Sequence, residues 1–139
     1  MKLPPILLAA AALAGCSSIA LREDAGSPVP AARIFLPAII GAAQAPTDGT
    51  ILLLRDWGFL AGGCDHDVYL DGVKALEIGV NERVEIHATA GHHLLRVQNS
   101  NFICPSGTTS LETELRAGER QVYRIEIAGN QQVNFARIK

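Results

Sequence analysis

The side chains able to do chemistry gather in a few short stretches. Cys64-Asp65-His66-Asp67 combines a thiol, an imidazole and two carboxylates, donor types that hold zinc. Side chains alternate along an extended backbone, so Cys64 and His66 share one face and Asp65 and Asp67 the other. A further ligand has to come from His92 or His93, and neighbours in a strand point to opposite faces, so at most one can join. The stretch therefore reads as solvated loop residues, and no metal is assigned. Glu112 and Glu114 stand about 7 Å apart on one strand face, a spacing compatible with glycosidase chemistry. No sugar cleft is visible beside them, so a solvated strand face is expected. Ser106-Gly107-Thr108-Thr109-Ser110 is rich in hydroxyls but follows Cys104-Pro105 as a loop, with no elbow motif for a serine nucleophile. No catalytic residue is assigned, and the chain is read as a non-enzyme.

One stretch suits binding better than reaction. Trp57, the only tryptophan, stands in Trp57-Gly58-Phe59-Leu60 beside the glycine pair Gly62-Gly63. Exposed, Trp57, Phe59 and Leu60 would make an apolar platform for a sugar ring or a partner protein. Folded over the end of the domain, they would close its core. The chain has one Trp, two Tyr and four Phe, and that scarcity favours core use.

The third cysteine has a different context. Residues 1–15 begin with Lys2, continue through an apolar run from Leu3 to Leu13, and end in small residues, the pattern of a secretory signal. The run is shorter than the roughly 20 apolar residues a membrane span needs. Leu13-Ala14-Gly15-Cys16 resembles a lipobox, the processing signal of bacterial lipoproteins; an ordinary signal peptide with a chance cysteine is the alternative. The resemblance implies cleavage before Cys16, a diacylglycerol on its thiol and acylation of its new amino group. Two or more acyl chains hold a protein stably at a membrane, at about 0.8 kcal/mol per buried methylene. Ser17, not Asp, follows Cys16, which by the same resemblance implies the outer membrane and a domain facing the periplasm. In that oxidising compartment Cys64 and Cys104 form an even pair expected to close as a disulfide, with two free buried thiols as the alternative. Closing a loop of that size removes about 4 kcal/mol of unfolded-state entropy in the chain-entropy description.

Composition sets the class. The 139 residues carry 12 basic and 14 acidic side chains, for a net charge of −2, with 48% hydrophobic and 19% charged residues. Such a chain is neither disordered nor an electrostatic binder of nucleic acid. Loss of residues 1–15 removes Lys2 and leaves −3, so the surface has no charge with which to hold anionic lipid. Residues 16–30, rich in Ser, Ala, Gly and Pro, lack a sustained period and read as a lipidated tether able to reach at most about 45 Å.

Residues 31–139 read as one all-β domain. Val84, Ile86 and Ala88 alternate with Glu85, His87 and Thr89; Tyr123, Ile125 and Ile127 alternate with Arg124 and Glu126; Leu111, Thr113 and Leu115 alternate with Glu112 and Glu114. Ile51-Leu52-Leu53-Leu54 suits a central strand covered on both faces. Asp71-Gly72 predicts a two-residue hairpin. Ala90-Gly91, Ala117-Gly118 and Ala128-Gly129-Asn130 predict further reversals. Pro37–Ala45 fits a turn of helix or a covered loop. About seven or eight short strands at this spacing predict a single antiparallel β-sandwich.

Val68-Tyr69-Leu70-Asp71-Gly72-Val73 followed by Gly91-His92-His93-Leu94-Leu95-Arg96-Val97 resembles PEGA-like β-sandwich modules. Arg55-Asp56-Trp57-Gly58-Phe59, Gly62-Gly63-Cys64 and Cys104 resemble the pattern of a group of bacterial lipoproteins of unknown function. The resemblance implies an Ig-like or PEGA-like sandwich with an envelope role, and it carries no catalytic residues. The expected partners are a membrane, through the lipid, and an envelope protein or a glycan, with no nucleic acid and no cofactor beyond the covalent lipid.

Overall fold

Asp71 and Gly72 both adopt positive φ, 51° and 83°, the backbone of a tight hairpin turn. Across it, β3 (His66–Leu70) and β4 (Val73–Ile78) pair antiparallel, as the Asp-Gly link predicts. This computed structural model describes residues 18–41, 43, 45–58, 63–101, 103–104, 107–130 and 132–139. Their other strands are β1 (Ser27–Pro28), β2 (Asp48–Arg55), β5 (Glu82–Thr89), β6 (Gly91–Asn99), β7 (Thr108–Leu115), β8 (Arg120–Ile127) and β9 (Val133–Arg137). They form two sheets, in the orders β1-β5-β2-β8-β9 and β4-β3-β6-β7. Pairing is mostly antiparallel; β1 with β5 and β2 with β8 run parallel.

The alternating residues meet between the sheets. Ile51, Leu53, Ile86, Tyr123 and Ile125 from one sheet share a core with Val68, Leu76, Leu95, Val97 and Leu115 from the other, which makes the fold a β-sandwich. β2 lies centrally between β5 and β8, as its continuous apolar run requires. Its Leu52 and Leu54 point the other way and are equally buried, in a second cluster with Val122 and Leu21. His87 departs from its alternating neighbours Glu85 and Thr89: it is buried, with Nδ1 3.3 Å from Thr50 Oγ1.

The second cluster explains the N-terminal segment. Where a free tether was expected, residues 18–30 lie along the sheet. Leu21 and Val29 are both 6% exposed, and Ser27–Pro28 adds to the edge of β5. Gly26, at φ 85°, passes so close that a Cβ there would stand 2.8 Å from Leu21 Cδ2 and 2.9 Å from the Asn81 carbonyl oxygen. Burying Leu52, Leu54, Val122 and Leu21 stabilises this arrangement by about 1.5–3 kcal/mol per side chain. Beyond it, Pro37–Ile39 forms a 3₁₀ turn, and the Phe35 and Leu36 N–H groups donate to the Ala75 carbonyl, covering the edge of β4.

The strands define two ends. The hairpin end carries residues 71–72, 90 and 116–119. The loop end carries the described residues 56–58, 63–65, 79–81, 100–101, 103–104, 107, 128–130 and 132. Cys64 and Cys104 join two of these loops in a disulfide, with Cα atoms 5.9 Å apart.

Candidate functional site

Trp57 lies two residues past the end of β2 at the loop end and stands half out of the protein, 50% exposed. Ile19 lies beside it as an antiparallel partner. The Ile19 N–H donates to the Trp57 carbonyl at 2.6 Å, and the Trp57 N–H donates to the Ile19 carbonyl at 3.1 Å. Ile19 is itself 61% exposed, so the pair forms an apolar surface. Phe59 and Leu60, the other members of the expected platform, lie outside the described residues, as does Cys16.

Asp56 fastens this pair to the domain. Its carboxylate is nearly fully buried, accepts the Leu21 N–H at Oδ1 (2.9 Å) and stands 3.1 Å from Arg124 Nε. Arg124 Nη2 in turn donates to the Leu21 carbonyl at 3.0 Å. Leu21 is thus held at both backbone groups by the Asp56–Arg124 ion pair. Burial raises the Asp56 carboxyl above the usual carboxylate range, against the opposing Leu21 N–H and the Arg124 charge. Glu23, one turn further, pairs with Arg120 at 2.7 Å and Lys139 at 3.0 Å.

Beneath the loop end, Arg55 and His66 are both fully buried. Arg55 Nη1 donates to the Asp56 carbonyl at 2.8 Å, while its Nε and Nη2 and both His66 ring nitrogens have no hydrogen-bond partner. Burial, and then the Arg55 charge, pushes the His66 imidazole down to about 4, so it is neutral at neutral pH. Burial also lowers Arg55, with the charges of Asp56 and Asp65 acting in the opposite direction.

The Cys64-Asp65-His66-Asp67 stretch is dispersed among other partners. The Cys64 sulfur is bonded to Cys104, Asp65 pairs with Arg33 at 3.1 Å, and Asp67 pairs with Lys74 at 3.0 Å. His66 stands opposite Asn99, six residues and about 20 Å along β6 from His93. Among the described residues no three His, Cys, Asp or Glu side chains are grouped to hold a metal. At the hairpin end, His93 Nδ1 lies 2.7 Å from Asp71 Oδ2 and its Nε2 2.7 Å from the Thr89 carbonyl. Two acceptors suit the protonated ring. Burial works against that charge, but the bonds to Thr89 and Asp71 outweigh it and raise the His93 pKa.

Glu112 and Glu114 are exposed on the outer face of β7. The inner face between them carries a closed polar network instead: Thr113 Oγ1 and Tyr123 OH donate to Gln121 Oε1 at 2.8 and 2.7 Å, and Gln121 Nε2 donates to the Glu114 carbonyl at 2.8 Å.

Sequence reasoning singled out Trp57 but passed over Asp56, Arg124, Leu21 and Ile19, which position it. The only signal was the presence of Ile19, Leu21 and Val29 in a segment otherwise of linker composition. No protein-family model, curated protein or solved structure matches the chain.

Proposed function

We propose that this protein is a non-catalytic lipoprotein of the bacterial cell envelope, anchored by acylated Cys16 at the outer membrane and facing the periplasm. The domain, in this reading an Ig-like or PEGA-like sandwich, serves as an interaction module for another envelope component. The observation that carries the reading is the tetrapeptide Leu13-Ala14-Gly15-Cys16 at the end of an apolar run. A closed Cys64–Cys104 bridge fits an oxidising compartment. Palmitate labelling of the protein in cells tests the anchor: label is expected on the wild type and lost in Cys16→Ser. Crosslinking in cells followed by mass spectrometry tests the module, and a discrete envelope protein is the expected product.

The half-exposed Trp57 favours a second reading, a module for glycan or peptidoglycan fragments. Indole rings stack on sugar faces, and the exposed half of Trp57 supports this reading. Retention on purified peptidoglycan that is lost in Trp57→Ala would select this reading over the first.

A further inference from the structure

We infer that Ile19 and Trp57 form a bilayer-contacting surface, lying at the boundary between headgroups and acyl chains in the leaflet that holds Cys16. The inference rests on the lipid anchor proposed above and adds an orientation to it. From Ile19 onward the backbone is fastened to the sandwich: Ile19 to Trp57, Leu21 to Asp56 and Arg124, and Ser27 to the Asn81 carbonyl at 2.9 Å. Cys16 is two residues before Ser18, a span of about 7 Å at full extension. A headgroup layer is of similar thickness, about 5–7 Å per leaflet. An acyl-bearing Cys16 seated in the leaflet therefore leaves no room for the domain to stand off. The surface brought down is the one around Ser18, and its large neighbours are Ile19 and Trp57.

The chemistry of that surface fits the site. Indole rings concentrate at membrane interfaces, where the ring is covered and its N–H remains wet. Ile103, 79% exposed, lies on another connection of the same loop end. Asp56, the chain neighbour of Trp57, is paired with Arg124, so the two charges offset one another. With the chain net acidic, its overall charge does not draw it to anionic lipid, and the inferred contact is apolar. Tethering also raises the local concentration of the patch at the membrane, so a small apolar area suffices.

Trp57 is the only tryptophan and is its own reporter. The full lipidated protein would be reconstituted into phosphatidylethanolamine/phosphatidylglycerol vesicles carrying lipids spin-labelled either near the headgroup or deep in the acyl chain. Shallow labels are expected to quench Trp57 emission at least twofold more than deep ones, to the same degree in 1 M salt. Ile19→Glu, with its lipid confirmed by mass and its melting temperature unchanged, is expected to lose at least half of this quenching. Lipidated protein whose Trp57 is quenched by iodide and not by either lipid label would overturn the docking while leaving the anchor intact. Cys16 found without lipid by mass spectrometry would overturn the anchor, and the docking with it.

Discussion

Two histidines respond to pH with opposite sign. His66 is neutral in the folded state down to about pH 4, whereas in the unfolded chain it protonates near 6.5. As pH falls from 6.5 to 4 the unfolded state gains a proton that the folded state refuses. Stability drops over that window by up to about 3 kcal/mol and then levels off. His93 behaves conversely: its pKa is raised by Thr89 and Asp71, so its contribution is complete below pH 6.5 and is lost as pH rises through the folded value. Urea unfolding across pH 4–8 is therefore expected to lose part of its acid slope in His66→Leu and to lose part of its low-pH stability in His93→Gln. At pH 7 His66→Leu is expected to be neutral or stabilising, because it removes two buried ring nitrogens that have no partners. His66 was legible as a residue of interest from its cysteine and carboxylate neighbours. Its burial against Arg55 was not, because that contact is set by how the two sheets face each other.

At the scale of elements, the strands, the Asp71-Gly72 hairpin and the doubly covered β2 follow from alternation and turn chemistry, which are local signals. The segment 18–30 does not. Its composition is that of a linker, and its order comes from two buried apolar side chains, Leu21 and Val29, and from partners far away in the chain, such as Arg124 bonding Leu21. The parallel pairing of β2 with β8 is likewise invisible locally, since no tight turn announces it. Removing the carboxylate that holds the segment tests its role. Asp56→Ala leaves Arg124 and Arg55 without their buried counter-charge and is expected to cost about 3 kcal/mol. Limited trypsin digestion should then cut after Arg22 at least tenfold faster than in the wild type, before the domain itself is degraded.

For the whole molecule, the disulfide ties together two loops of one end of the sandwich across a sequence separation of 40. The double variant Cys64→Ser/Cys104→Ser is expected to lose about 4 kcal/mol, measured by urea unfolding without reductant. Reduction of the wild type should reproduce that loss. The amino-acid sequence by itself determined the strand-rich class, the hairpin, the bridge between Cys64 and Cys104 as an expectation, and Trp57 as a residue worth watching. Each of those depends on residue type, on a period of two, or on the pairing of a small even number of thiols. Tertiary structure alone decided that the tether is part of the domain, that Asp56 and Arg124 clasp Leu21, and that Ile19 stands next to Trp57. Those facts depend on burial and charge pairing between segments up to about a hundred residues apart, and such pairings acquire their energy only once the sheets have assembled.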